Sequence, residues 1–343
     1  MGLRGEILEQ PEVAERLLAD AAEQLRVLAA EMWRRRIDHA VIAARGSSDH
    51  AAVYAQYALG VQAGLSVALA TPSVISRYGA APHMASALVI GVSQSGRSPD
   101  VVGVVAEARR QGALTAAITN DPRSPLAMAA EHLLPLDAGV ERSIAATKTY
   151  TAELLMIAML AATLADDSGH ARRDLALVPA AMRRALEGEA AAEALAHRHR
   201  SMTDCVVLGR GYNLATALEW ALKLKELAYV RAHAYSTADF QHGPVASLQP
   251  GGQLLAVSAR GPMADDLGEL VELLHGERKA AVLTLSDAQI HDAERLPFAD
   301  DLPEWLSPLV AILPAQLFCY HLALAKGLSA EAPRGLHKVT LTR

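Results

Sequence analysis

"AVIAARGSSDHAAVYAQYAL", residues 40–59, decides the fold, because the chain carries it twice. Laid over "CVVLGRGYNLATALEWALKL", residues 205–224, it keeps a constant offset: Val41 falls on Val206, Arg45 on Arg210 and Gly46 on Gly211. Each copy reads as an apolar run of strand length, a glycine turn, and a stretch with apolar residues at helical spacing. The same offset puts Ser93 on Ser258, Gly96 on Gly261, and "TAAITN" (115–120) on "AAVLTL" (280–285). Self-similarity of this kind means two copies of one folding unit.

Within the first copy, "HAVIAARG", "SALVIGVSQSG", "ALTAAITND" and "HLLPLDAG" read as strands separated by helical stretches. This alternation predicts an α/β fold in which each unit is a parallel sheet with helices on both faces. The join, "GHARRDLALVPAAMRRALEGEAAAEALAHRHR" (169–200), is charged, alanine-rich and helical in pattern. The expected division is 1–170 for a first unit with an N-terminal helix and phosphate-binding loops, and 171–330 for a linking helix and second unit. A tail, 331–343, is expected to close the active site.

A chain of 343 residues suits two such units of about 150 residues each. Half of it is hydrophobic but only 4% is aromatic, so Ala, Leu and Val carry the packing. Net charge is −6 with both signs interspersed, which excludes the basic stripe of a nucleic-acid binder. The N-terminus is acidic from Glu6 onward and lacks the apolar core of a signal peptide. "LLMIAMLAATLA" (154–165) is too short to cross a bilayer and reads as a buried helix, so no membrane partner and a cytoplasmic location are expected. Cys205 and Cys319, each in an apolar run, read as buried free thiols of a reducing compartment.

The chemistry concentrates in a few places. "VSQSGRSPD" (92–100) groups Ser93, Gln94, Ser95 and Ser98 around one glycine at a strand end. Ser98-Pro99-Asp100 has the form of a helix start, with Ser as N-cap and Pro at the first helical position. Free N–H groups and the positive helix end favour an anion there. Two readings fit this shape: a phosphate cradle, or an ordinary polar turn before a capped helix. The second copy, Ser258-Ala259-Arg260-Gly261-Pro262-Met263, keeps the glycine and loses the counterparts of Gln94, Ser95 and Ser98. That asymmetry favours a ligand role in the first copy alone. In "ARGSSDHAAVY" (44–54), Ser47 or Ser48 is expected to cap the helix, with Ser48 within reach of a ligand. Glu219, Lys223 and Glu226 share one helix face, which alone reads as a solvated face with weak ion pairs. His242, before Gly-Pro, is a loop histidine able to exchange protons near neutral pH. Lys338 follows an Arg-Gly turn and by itself reads as a solvated terminal lysine. His197 and His199 lack partners at metal-ligand spacing, so no metal is expected.

In order along the chain, "RGSSDH", "SQSGRSPD", "AATKTY", "LGRGYN", "ALKLKE", "HGPV" and "PRGLHKVT" together resemble the double sugar-isomerase (SIS) family. The resemblance implies two tandem SIS domains, each a flavodoxin-like three-layer sandwich. It implies that Ser93, Gln94, Ser95 and Ser98 hold a sugar phosphate, with Ser48 and Ala145 also at the substrate. Glu226 would move a proton between C1 and C2, with Glu219 and Lys223 supporting it. His242 would open the sugar ring, reaching the site of the neighbouring subunit in a homodimer. Lys338 would meet the open-chain sugar. No metal or redox cofactor is implied. Two positions depart from the family pattern: Ala146 replaces a substrate-contacting Ser, and Asp239 replaces Glu.

The chain starts Met1-Gly2 and has no cysteine before Cys205, so no glutaminase nucleophile is expected ahead of the isomerase unit. With "RGSSDH" and "AATK", the pattern resembles the SIS-type glucosamine-6-phosphate deaminases, which yield fructose 6-phosphate and ammonia. The alternatives are another amino-sugar-phosphate isomerase or deaminase, a glutaminase-less aminotransferase-type isomerase, and a sugar-phosphate-binding regulator.

Overall fold

In the computed structural model, which describes residues 2–165, 169–290, 293–298 and 301–338, ten parallel strands form two sheets. The first sheet contains β1 (His39–Ala43), β2 (Ser66–Leu69), β3 (Leu88–Val92), β4 (Leu114–Thr119) and β5 (His132–Pro135), in the order β2-β1-β3-β4-β5. The second contains β6 (Asp204–Gly209), β7 (Arg231–Ser236), β8 (Gln253–Ser258), β9 (Ala281–Ser286) and β10 (Glu294–Pro297), in the order β10-β9-β8-β6-β7. Each copy therefore has the flavodoxin-like strand order 2-1-3-4-5, and the repeat seen in the sequence is a repeat of topology. In both, the order reverses between the first and third strands, where open α/β sheets leave a crevice at the carboxyl ends of the strands.

Central strands β3 and β4 are buried at every residue, as their unbroken apolar runs require in a sheet covered on both faces. β2 escapes the sequence reading because it is a four-residue edge strand without a buried position. The constant offset also slips. Val41 pairs with Val89 and Val206 with Leu254, which preserves it. Val89 then pairs with Thr115 but Leu254 with Val282, so Thr115 corresponds to Val282 and not to Ala280. The second copy accommodates two extra residues before β9, and the even slip keeps each side chain on its face.

The chain divides into two bodies. One, the first body, comprises Glu12–Glu141, Lys148–Ala176 and the tail from His337; the other, the second body, comprises Met1–Pro11, Arg142–Thr147 and Leu177–Leu336. Residues 339–343 of the expected tail lie outside the described residues. Body membership thus departs from chain order at the N-terminus and at the 142–147 loop. Buried Glu6 explains the pairing of those two pieces, since its carboxylate accepts the backbone N–H of Arg142 (2.5 Å) and Ser143 (3.2 Å). The join between the copies is helical, as its pattern predicts: His170–Leu175, Val178–Leu186 and Glu189–Arg198.

In the second body the two faces of the sheet are covered by different elements. Val206, Leu208, Leu254 and Ala256 pack with Phe240, Leu248, Leu267 and Leu270, from the segment after β7 and the helix Ala264–Arg278. The alternate face takes the helices Leu214–Ala228 and Ser307–Ala325, whose Trp220 and Phe318 meet edge-on with ring centroids 6.1 Å apart. The segment Glu304–Ala325 is long and apolar enough to cross a membrane, but 83% of its apolar window is buried inside the protein. An all-round apolar helix is what a core position between layers demands. Cys205 and Cys319 are both free and buried; burial pushes the Cys205 thiol up to about 12 and raises that of Cys319 as well.

Candidate active site

At the switch point of the first sheet the loop Ser93–Ser98 turns sharply. Gly96 has φ +60°, and a Cβ there would lie 2.1 Å from Ser124 Oγ and 2.9 Å from Thr119 Oγ1, so only glycine fits. Its N–H donates to Ser93 O (3.1 Å) and Ser93 Oγ (3.2 Å). Ser98 is the N-cap of the helix Pro99–Arg110, but its hydroxyl makes no cap bond. Among the described residues the amides of Gln94, Ser95 and Ser98 donate to no protein acceptor. Three N–H groups and the Ser98 hydroxyl therefore remain for an anion, in front of a twelve-residue helix start. Across the switch point Arg45 Nε donates to buried Asp100 Oδ2 at 2.8 Å, tying the loop after β1 to the first turn of that helix.

The expected cap from Ser47 or Ser48 is not formed. Gly46 is the N-cap of the helix Ser47–Ala63 and no side chain caps it. Ser48 Oγ instead donates to the buried Glu153 carboxylate at 2.8 Å, so its proton is committed and its oxygen is left as an acceptor.

Lys338 is not a solvated terminal lysine. Its Nζ lies 2.6 Å from Oε2 of Glu141, a carboxylate with no exposed side-chain surface. Thr149 donates both its N–H (3.2 Å) and its hydroxyl (2.8 Å) to the same carboxylate. Glu141 connects to the cradle through Asn120. Asn120 N donates to Gln94 O at 3.0 Å, its Nδ2 donates to Gly139 O at 2.7 Å, and its Oδ1 accepts Ala138 N at 2.9 Å. Cradle and tail lysine thus belong to one network at the carboxyl end of the first sheet. Sequence reading missed Glu141 and Asn120, because each acts through a tertiary partner and neither sits at a telling local spacing.

In the second body, Glu219, Lys223 and Glu226 do not form a solvated face. Glu219 and Lys223 are buried, with Lys223 Nζ 3.2 Å from Glu219 Oε1 and 2.5 Å from Glu226 Oε2. Only Glu226 reaches the surface, its side chain one-fifth exposed. Burial disfavours the Lys223 charge, but the two carboxylates outweigh it and hold the ammonium above its ordinary value. A fixed cation beneath an accessible carboxylate orients that carboxylate for proton transfer.

His242 is exposed and follows the short helix Thr237–Gln241. Its segment packs the face of the second sheet opposite to that of the Glu226 helix. Asp239 is engaged locally: its N–H donates to the Ser236 hydroxyl oxygen as cap (3.0 Å), and its Oδ2 accepts the Ser236 hydroxyl at 2.6 Å. Ala145 is buried in the loop that Glu6 holds. Near Glu226, Arg334 of the tail is held on Tyr229, which ends the helix, by an N–H to Oη bond of 2.9 Å and a guanidinium 4.2 Å over the ring. Among the described residues no group of three His, Cys, Asp or Glu side chains could hold a metal ion. His199 instead makes a structural pair with Glu294 at 2.6 Å.

The SIS domain profile matches residues 35–163 and 201–326, one stretch on each sheet. The chain belongs to the SIS family. It is 32% identical to glutamine–fructose-6-phosphate aminotransferase (isomerizing) from Synechocystis sp., over 97% of this chain and 58% of that protein. This SIS chain therefore spans little more than half of that relative. The crystal structure of a candidate phosphosugar isomerase from Silicibacter pomeroyi DSS-3 superimposes with a TM-score of 0.86 at 34% identity, covering 96% of this chain and all of that one. Glucosamine-6-phosphate deaminase from Thermotoga maritima shares the fold, with a TM-score of 0.74 at 21% identity, covering 96% and 100% of the two chains.

The second SIS domain does not reproduce the cradle of the first. Gly261 lacks the left-handed backbone of Gly96, so the second loop keeps the glycine but not the turn. Its Arg260 N–H, the counterpart of Ser95 N–H, donates to Asp287 Oδ2 at 2.8 Å. The Glu304 carboxylate lies over the loop, where a Cβ on Gly261 would meet Glu304 Oε2 at 2.2 Å.

Proposed function

We propose that this SIS chain is a sugar-phosphate isomerase acting on an amino-sugar phosphate. Its reaction is the conversion of glucosamine 6-phosphate to fructose 6-phosphate and ammonia. The observation that carries this reading is the open cradle of the first domain: three unengaged N–H groups and an uncommitted Ser98 hydroxyl at a helix start. A phosphate fills such a site with charge-assisted hydrogen bonds. The choice of an amino sugar rests on the motifs "RGSSDH" and "AATK".

Glu226, steadied by Lys223, carries the proton from C2 to C1 of the open chain, and Lys338 meets the charge that develops on the substrate. The resulting fructosimine takes up water and releases ammonia. Ring opening moves a proton between O1 and O5, which suits His242. His242 would come from a second copy, as the resemblance to the family implies. The working form is then a homodimer with two shared sites.

The test is ammonia release from glucosamine 6-phosphate, with galactosamine 6-phosphate in parallel. The wild-type chain should release ammonia. Glu226→Gln should bind the sugar phosphate and turn over at least about 100-fold more slowly. Binding without turnover by the wild-type chain would replace this reading with that of a regulator.

A further inference from the structure

Glu141 has no role in the chemistry above, yet it is a carboxylate taken wholly out of water and met by the tail lysine. Thr149 supplies two hydrogen bonds and Lys338 an ion pair. A buried carboxylate is costly unless paired, and one that has lost its cation costs more than one never buried. The Glu141 carboxylate therefore favours a cation at the place the Lys338 ammonium takes.

We propose that Glu141 is the positioning residue for Lys338. It fixes the tail ammonium at the carboxyl end of the first sheet, on the network that also carries the cradle. The proposal rests on the function proposed above for its catalytic meaning, but the pairing itself does not. A lysine paired this way acts as a cation facing the substrate. Asn120 gives the arrangement its register, because one side chain holds the loop before Glu141 and its backbone holds Gln94. The ammonium is set relative to the phosphate handle before any substrate arrives, which is the pre-organisation that electrostatic catalysis needs.

The experiment is trace labelling of amines with acetic anhydride on the full chain, read peptide by peptide, with exposed Lys279 as internal reference. In the wild-type chain Lys338 should label about fivefold more slowly than Lys279, the factor expected for a partly buried ion pair. Glu141→Gln should bring the two rates together. Glu141→Asp keeps the charge but shortens the reach, and should give an intermediate rate; it also serves if the Gln variant does not fold. Equal labelling of Lys338 in wild-type and both variants overturns the proposal. So does a rise shared by Lys279, which would mean general loosening. Labelling needs no substrate, so the pairing and the deaminase reading fail separately. With glucosamine 6-phosphate, Glu141→Gln should lower kcat about tenfold with KM little changed, partly restored by Asp; a matching rise in KM with kcat intact would also count against it.

Discussion

The loops after β3 and β8 are one piece of sequence used twice, and what they share differs in kind from what separates them. Both copies keep an arginine–aspartate clamp across the switch point: Arg45 with Asp100 at 2.8 Å, and Arg210 with Asp266 at 2.6 Å. After β1 and β6, both copies begin the helical region with a glycine of positive φ, +57° at Gly46 and +59° at Gly211. These features serve the fold, since either copy needs them to bring two loops together over a twisted sheet. The hydroxyl-bearing loop with open amides occurs once. In the second copy Asp287 takes the Arg260 amide and Glu304 covers the glycine, so the protein's own carboxylates stand where an anion would. Repetition marks architecture here, and asymmetry marks the loop proposed to hold the phosphate.

Removing hydroxyls should break the comparison most strongly. The background is Glu226→Gln, expected to bind with turnover slowed at least about 100-fold, and the measurement is calorimetry with glucosamine 6-phosphate. Ser93→Ala together with Ser98→Ala should weaken binding by about 100-fold, as expected for two hydrogen bonds to a charged group. Ser258→Ala at the corresponding place should leave affinity unchanged. If the two loops responded alike, the cradle assignment would be lost.

A backbone test comes next. Gly96→Ala forces a Cβ into Ser124 and Thr119 at a left-handed φ, and should cost about 2–3 kcal/mol in chemical denaturation. Gly261→Ala meets mainly the movable end of Glu304, without a positive φ, and should cost less than about 1 kcal/mol. Equal losses would mean that the second loop is held as rigidly as the first.

The pattern of what was legible follows from range. Strand alternation and the repeat were readable because period and offset are local properties, and they carried the topology through to strand order. The sharp turn at Gly96 was readable because a glycine among hydroxyls at a strand end announces such a βα loop. Glu219 and Lys223 looked solvated because spacing along a helix does not say what covers it; the helix Ser307–Ala325 does. Ser48 looked like a cap because the hydroxyl precedes a helical run, but Gly46 ends the turn one residue earlier and Glu153, over a hundred positions away, claims the hydroxyl. Glu141, Glu6 and Glu304 have meaning only through partners that folding supplies.

The smallest expected effect asks what the second loop still prefers. Glu304 has its carboxyl pushed up, first by partial burial and then by the charge of Asp287. A carboxyl with a raised folded-state pKa favours folding while protonated. That contribution is present below the unfolded value and is lost as pH rises through the folded one. Glu304→Gln should therefore match the wild-type chain near pH 4 and exceed it in stability at pH 7.5. Glu304 is only half-buried, so after screening the gain is about a few tenths of a kcal/mol, within reach of paired thermal melts. The opposite sign would mean that the second loop still stabilises negative charge and that Glu304 stands in for a phosphate. A gain at neutral pH would mean that the loop has lost its preference for anions along with its hydroxyls, and that the single cradle of the first domain has no latent twin.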